Sequence, residues 1–244
     1  MKVSVQVKES SLNDPQFNFE VLASAARQAK ANNSELLLFA EAFLQGFEAM
    51  SFDYAEDIQK AYSIRGSELA KVRQIARENE LAIGLGFYEN YKGGIYSAYA
   101  IFDQDGETIE HYRRVSPGWK MPKACADYRE GSNFHSFRFA GKTFATLICG
   151  DFWTDELLPA IIAMDADVDA FIWPVHCDYE SEFWQQEEKA EYAKRSAILA
   201  KPILFINNFV KEKNRAKGGV YLWQQGKTLA ALEMGELGQL NLEL

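Results

Sequence analysis

Hydrophobic and polar residues alternate at the start of the chain, and the pattern then changes to a helical period. The valines of the segment Val3 to Val7 occupy one face of a period-two pattern, which predicts a strand. Asn13-Asp14-Pro15 is a helix-start signal, and it leads into an amphipathic stretch from Phe17 to Ala31. The apolar run within Glu35 to Ala40 predicts a buried strand. The chain therefore opens with a strand, a helix and a second strand.

Strands, helices and hairpins are predicted along the rest of the chain. Turn-rich residues mark three hairpins, at Asp103-Gln104-Asp105-Gly106, at Ala140-Gly141-Lys142 and at Gln225-Gly226-Lys227. Helices are predicted around Leu69 to Ala76, at Glu156 to Met164 and at Ser181 to Ala200; strands are predicted at Leu81 to Tyr88, Ile95 to Phe102, Thr108 to Tyr112, Phe134 to Phe139, Thr143 to Ile148, Val168 to Val175, Ile203 to Ile206, Gly219 to Trp223 and Thr228 to Leu232. This mixture indicates an α/β protein with a mixed sheet, in which residues 1–244 form a single domain. The pattern leaves open whether there is one sheet or two.

Composition and charge exclude several classes of protein. The 244 residues are 48% hydrophobic and 25% charged, which is typical of a globular protein with a sizeable core. The formal net charge of −9 disfavours nucleic acid and anionic membranes as partners. The segment Met1 to Val7 lacks the apolar core of a signal peptide, and no later run approaches membrane-spanning length. We therefore expect a cytoplasmic protein.

The cysteines and histidines do not form a recognisable metal or disulfide pattern. The three cysteines, Cys125, Cys149 and Cys177, are odd in number and include no Cys-x-x-Cys pair. The three histidines lack the paired spacing of a zinc helix. We therefore predict no metal ion, and each cysteine has to be judged by its own surroundings.

Polar residues directly follow four of the predicted strands: Glu41, Arg113-Arg114, Cys149-Gly150-Asp151 and His176-Cys177-Asp178. Open α/β sheets place reactive groups just beyond the carboxyl ends of their strands. A thiol nucleophile needs a base or a lowered pKa, and the oxyanion that it creates needs a cation or N–H donors. The residues present therefore suit acyl transfer through a thioester. The alternative is structural: Cys149 as a core cysteine, and Glu41 as the partner of a buried arginine.

Three of these segments resemble the motifs of the carbon-nitrogen hydrolase, or nitrilase, superfamily, and the resemblance spans nearly the whole chain. Phe39-Ala40-Glu41 is similar to the segment that carries the family's catalytic base. Leu147 to Trp153 is similar to the nucleophile segment, in which cysteine, one further residue and then Asp or Glu is usual. Tyr112-Arg113-Arg114 is similar to the segment that ordinarily ends in the catalytic lysine.

The resemblance implies a fold and a chemistry. The expected fold is an αββα sandwich of two mixed β-sheets flanked by helices, usually paired as a homodimer in which two sandwiches stack. The expected substrates are small amides, nitriles, ureas or carbamoyl compounds, and no cofactor is required.

At two positions this chain differs from the residues that are usual in the family. Arg114 stands where the family has lysine, and arginine does not release its proton at any working pH. Arg114 is able to bind an oxyanion, but Glu41 would then carry more of the proton transfer, unless Lys120 or Lys123 enters the site. The family's second glutamate has no clear match, and Asp127 and Glu130 are the candidates.

These observations predict a cysteine-dependent amidase in which Glu41 is the base, Cys149 the nucleophile and Arg114 part of the oxyanion site. Two alternatives remain. One is a catalytically silent homologue that binds a small carboxylate or amide ligand, with Arg114 as a permanent anchor. The other is an acyltransferase that uses the same residues. The side chains expected to line the substrate pocket are Trp153, Trp173, His176 and Tyr179.

Overall fold

The computed structural model describes all 244 residues, and twelve strands form two six-stranded sheets. The first sheet has the order β12-β1-β2-β3-β4-β5, and β1, β2 and β3 run parallel. β4, β5 and β12 are antiparallel to their neighbours. The strands of this sheet are β1 (Lys2–Val7), β2 (Leu36–Leu38), β3 (Ala82–Tyr91), β4 (Gly94–Phe102), β5 (Thr108–Arg113) and β12 (Gly238–Glu243).

The second sheet is also mixed and has the order β11-β10-β9-β8-β7-β6. Its three central strands, β7, β8 and β9, run parallel. Hairpin partners are added at both edges. The strands of this sheet are β6 (Ser136–Phe139), β7 (Lys142–Thr146), β8 (Ala170–Val175), β9 (Ile203–Asn207), β10 (Val220–Gln224) and β11 (Lys227–Leu232).

The inner faces of the two sheets pack against each other, and helices cover both outer faces. Val3, Val5 and Val7 point into the core between the sheets, as their alternation predicts. The helices are α1 (Pro15–Ala31), α2 (Tyr54–Lys60), α3 (Ser67–Glu78), α4 (Leu158–Met164), α5 (Ser181–Phe183) and α6 (Lys189–Ser196). α1 and α3 cover the first sheet, and α4 together with the helical residues 181–196 covers the second. The αββα sandwich implied by the family resemblance is confirmed, and there are two sheets.

Local signals explain where the first helix begins. Asp14 caps α1 by accepting a hydrogen bond from the Phe17 backbone N–H at 3.0 Å, and Pro15 occupies the first turn, where its missing N–H costs nothing. None of the helices has the combination of length and apolar content that spanning a membrane requires.

The structure differs from the predicted elements in three places. The helix expected over Ser181 to Ala200 ends at Ser196 and is interrupted by a π-helical turn at Trp184–Glu188. The pattern did not predict α2 or the last strand, β12. β12 completes the first sheet beside β1, and its pairing partner is about 240 residues away in sequence, so local pattern carried little information about it.

Candidate active site

The ends of the parallel strands from both sheets meet at one place in the sandwich. Glu41 follows β2 and Arg114 follows β5, so both come from the first sheet. Cys149 follows β7 of the second sheet and begins a 3₁₀ turn, Cys149–Asp151. The turn that carries Glu41 lies directly against β3 at Gly86, where an added Cβ would come within 2.7 Å of the Glu41 carbonyl carbon. Glycine at this position allows the close approach.

Glu41 and Arg114 form a buried ion pair. Glu41 is fully buried, and its Oε1 accepts hydrogen bonds from Arg114 Nη1 at 3.1 Å and from Ser97 Oγ at 3.0 Å. Its other oxygen, Oε2, is buried and has no hydrogen-bond partner in the protein. A buried carboxylate oxygen without a donor is costly. Oε2 is therefore a ready acceptor for a proton that a neighbouring group or a ligand supplies.

Arg114 is held on two sides and keeps one donor nitrogen free. Its Nε donates to Ser116 Oγ at 2.8 Å, and Nη1 donates to Glu41, whereas Nη2 makes no hydrogen bond within the protein. Burial acts to lower the pKa of Arg114, but the negative charges of Glu41 and Asp151 and the hydrogen bond to Glu41 oppose it, and the pKa is raised. The guanidinium is therefore a permanent cation with one unused donor nitrogen.

Cys149 adopts a backbone conformation that is unusual for a residue with a side chain. Its φ is +44°, in the left-handed region, where such strain is often found at functional residues. Trp173 Nε1 donates to the Cys149 carbonyl at 2.9 Å, and the thiol Sγ lies 3.9 Å from the His176 carbonyl, to which it donates. These contacts fix the direction of the thiol at the end of β7.

The surroundings of Cys149 keep it protonated. Burial of the sulfur and the negative charge of Glu41 raise the pKa of the thiol to about 12, although Arg114 acts to lower it. The thiolate fraction at neutral pH is therefore very small. Attack by this sulfur requires a base that takes the proton as the new bond forms.

Asp151 joins the turn Cys149–Asp151 to the segment that carries Arg114. Its Oδ1 accepts from the backbone N–H groups of Val115 at 3.0 Å and Ser116 at 2.7 Å. Its Oδ2 accepts from the Tyr112 hydroxyl at 2.6 Å and from the Ile148 N–H at 2.9 Å. Burial raises the pKa of Asp151, and these donors oppose the rise. One buried carboxylate thus sets the distance between the two sheets at the site.

His176 and Asn208 bind the opposite side of the cluster. Asn208 Nδ2 donates to the Glu41 carbonyl at 2.6 Å and lies 3.3 Å from His176 Nδ1. The His176 ring stacks on Phe47, with centroids 4.2 Å apart, and its Nε2 lies 3.0 Å from Asp178 Oδ1. The turn that bears Glu41 is therefore tied to the strand ends of β8 and β9.

The four side chains expected to line the pocket differ in exposure. Trp153 is 38% exposed, Tyr179 is half-buried, and His176 is buried beside Asn208. Trp173 is fully buried, and its Nε1 hydrogen bond braces the Cys149 backbone. Contact between substrate and any of these side chains stays a prediction.

The alternative lysines and carboxylates lie away from the cluster. Lys120 pairs with Glu130 at 2.7 Å and donates to the Tyr128 carbonyl. Asp127 pairs with Arg129, and Lys123 is exposed. None of these side chains makes an ion pair with Glu41 or a hydrogen bond to Arg114 or Cys149. Arg114 is the cation that contacts Glu41 here.

Ser97, Ser116 and Asn208 support the site but were not singled out from sequence. Each is a small polar residue. Ser97 and Asn208 donate hydrogen bonds to Glu41, which lies on a different segment, and Ser116 accepts one from Arg114, two residues before it. The signals that could have identified them are weak: Ser116 follows Arg114 by two positions, and Asn208 directly follows a strand. Asp151 had a stronger signal, because it occupies the acidic position of the nucleophile motif.

One group of side chains has the composition of a metal site. Potential ligand atoms of Glu48, His176 and Asp178 lie within 4.8 Å of one another. The Arg215 guanidinium lies between the two carboxylates, 3.0 Å from Glu48 Oε1 and 3.3 Å from Asp178 Oδ2. In this arrangement the arginine supplies the positive charge that these carboxylates need.

A family model describing carbon-nitrogen hydrolases matches residues 4–232, which is most of the chain. The chain belongs to the carbon-nitrogen hydrolase family. The matched range includes Glu41 and Cys149. The family membership inferred from the three sequence motifs is confirmed.

Relatives within this family are distant. The chain is 28% identical to an (R)-stereoselective amidase from a Pseudomonas species, over 57% of this chain and 47% of that protein. It is 25% identical to an N-carbamoylputrescine amidase from Oryza sativa subsp. japonica, over 68% and 56% respectively. It is 26% identical to an arylacetonitrilase from Aspergillus niger, over 48% and 38%. The chain thus spans about half or less of the length of these relatives.

Solved structures support the fold. The chain superposes on an amidase from Nesterenkonia sp. AN1 with a TM-score of 0.80 and 18% identity, covering all of this chain and 93% of the other. That structure is a glutamate-to-glutamine variant in which acrylamide has added to the active-site cysteine. At this identity the likeness establishes the shared fold.

Replacing Asp151 by Asn should lower the free energy of unfolding by about 3 kcal/mol, because an amide cannot accept four hydrogen bonds and leaves at least one buried N–H without a partner. Chemical denaturation measures the loss. Tyr112→Phe is the matched control, since it removes one donor and leaves three; it should cost about half as much. Equal stability of Asp151→Asn and wild type would contradict the role given to this carboxylate.

Alkylation of Cys149 by iodoacetamide should accelerate about tenfold per pH unit from pH 7 to pH 10, without levelling, because the thiol pKa is near 12. Glu41→Gln should shift this profile to lower pH, since the carboxylate charge raises the pKa. Peptide mass spectrometry separates Cys149 from the exposed Cys125, which serves as the internal reference. A plateau below pH 9 would mean that the thiolate is already formed in the free protein.

Proposed function

We propose that the protein is a cysteine-dependent hydrolase of a non-peptide carbon–nitrogen bond in a small molecule, acting through a thioester. The observation that carries this proposal is the buried Glu41–Arg114 pair beside Cys149, with Glu41 Oε2 unpartnered. A purely structural ion pair would be expected to satisfy both carboxylate oxygens. Here one acceptor and one donor nitrogen, Arg114 Nη2, are left unused next to a nucleophile.

The first half-reaction forms the thioester. Glu41 takes the proton of the Cys149 thiol as the sulfur attacks the carbonyl carbon of the amide. Negative charge then develops on the carbonyl oxygen, where Arg114 Nη2 and the backbone N–H after Cys149 stabilise it. When the carbon–nitrogen bond breaks, the departing amine needs a proton. Glu41 returns the proton that it took from the thiol, because arginine has none to give.

The second half-reaction uses the same groups in the same order. Glu41 takes a proton from a water molecule, and the resulting hydroxide attacks the thioester carbon. The oxyanion is again bound by Arg114, and collapse of the intermediate releases the carboxylic acid and returns the sulfur to the thiol form, with the proton supplied by Glu41. Each half-reaction therefore begins and ends with Glu41 ionised.

The amidase and nitrilase relatives define the substrates to test. The panel consists of amides, carbamoyl amines and arylacetonitriles, the classes suggested by the relatives' names. Pairing of two copies as a homodimer is part of the same proposal, and light scattering of the purified protein measures it.

Cys149→Ser should abolish ammonia release from any substrate that the wild type hydrolyses, and Glu41→Gln should reduce kcat by at least about 1,000-fold because both half-reactions lose their base. Cys177→Ser is the matched control: it changes a neighbouring thiol and should leave turnover close to wild type. Ammonia is measured directly for each variant.

Two other outcomes would overturn the hydrolase. Preferential formation of hydroxamate when hydroxylamine is added, with negligible hydrolysis in its absence, would identify an acyltransferase. Absence of turnover across the panel, together with binding of small carboxylates that is lost in Arg114→Ala, would identify a binding protein.

A further inference from the structure

Gly150 lies directly against the free nitrogen of Arg114. A Cβ added at Gly150 would overlap Arg114 Nη2 and would come within 3.0 Å of Ser116 Oγ and 3.4 Å of Arg114 Cζ. The approach to Nη2 is closer than a real Cβ tolerates, so one of the two atoms would have to shift, whereas the contact with Ser116 Oγ would only be tight. The residue after Cys149 therefore has no room for a side chain while Arg114 holds its present position.

Arg114 is not free to move away from such a side chain. Its Nε is bound to Ser116, its Nη1 is bound to Glu41, and only 4% of the residue is exposed. Any rotation that removed Nη2 from Gly150 would break one of these two hydrogen bonds. The loss would leave Glu41 in a buried ion pair with poor geometry, which is strongly unfavourable.

The conflict depends on the shape of arginine. The guanidinium is a planar fork, and with Nε held by Ser116 and Nη1 held by Glu41 its third nitrogen, Nη2, lies against Gly150. Lysine carries a single terminal nitrogen, and a lysine at position 114 that reached Glu41 would leave the space next to Gly150 empty. Glycine at 150 and arginine at 114 therefore fit each other.

We propose that Gly150 is a positioning residue that adapts this site to arginine, by keeping Arg114 Nη2 free and directed beside the nucleophile. The proposal deepens, and rests on, the proposed hydrolase activity, in which Nη2 binds the oxyanion. Displacement of Nη2 removes a contact that forms mainly in the transition state. The effect therefore falls on kcat more than on KM.

The test compares Gly150→Ala in two backgrounds, wild type and Arg114→Lys. In the wild-type background, Gly150→Ala should reduce kcat about 100-fold with little change in KM, the loss expected for one oxyanion donor. In the Arg114→Lys background, the same substitution should change kcat by less than about threefold, because no forked side chain is displaced. Rescue by lysine is the result that a general packing defect would not produce.

Gly118→Ala is the matched control, since Gly118 faces the same Nη2 atom but its added Cβ would be at an ordinary contact distance of 3.4 Å. This variant should retain activity close to wild type. Full activity of Gly150→Ala in the wild-type background would overturn the proposal. An equal loss in both backgrounds would overturn it as well, because the effect would then be independent of arginine.

A stability measurement separates failure of this inference from failure of the proposed activity. If neither the wild type nor any variant hydrolyses an amide or nitrile, the hydrolase proposal fails. The melting temperatures of the same proteins then test independently whether Gly150 is needed to accommodate Arg114. Gly150→Ala should lower Tm by about 5 °C with Arg114 and by less than about 1 °C with lysine. Equal shifts in the two backgrounds would reject the fit.

Discussion

The hydrogen bonds of Asp151 are the contacts on which the site depends. This buried carboxylate belongs to the turn that follows β7 of the second sheet, yet three of its four donors come from residues 112–116, at the end of β5 and just beyond it. Hydrogen bonds are directional and apolar packing is not, so these bonds fix how the end of β5 lies against the turn after β7. The position of Arg114 relative to Cys149 follows from this connection.

Arginine at position 114 changes how protons are distributed in the site. A lysine can both bind an oxyanion and exchange a proton, whereas Arg114 remains charged throughout. The burial that raises the thiol pKa of Cys149 to about 12 adds a second constraint, since this thiol does not ionise by itself. In the proposed mechanism both constraints leave the proton transfer to Glu41, whose Oε2 has no hydrogen-bond partner in the protein.

Candidate residues that directly follow strands could be identified from the sequence. The reason is that strands running in the same direction bring their carboxyl ends to the same edge of a sheet. Glu41, Arg114 and Cys149 are in this class, and the structure brings their segments to one place. The fit between Gly150 and Arg114, and the bond from Asn208 to the Glu41 carbonyl, depend on side-chain positions that no local pattern encodes. Strand β12 was missed for the same reason, because its partner β1 is at the other end of the chain.

The most direct measurement is rapid-quench peptide mass spectrometry of the wild-type protein mixed with an amide or nitrile from the substrate panel. An acyl group on Cys149 that appears before product and decays as product forms is the result expected for a thioester mechanism. Because the proposed mechanism also assigns activation of the water to Glu41, Glu41→Gln should let any acyl group that forms persist. Product release with no covalent species at Cys149, in either protein, would contradict a cysteine nucleophile.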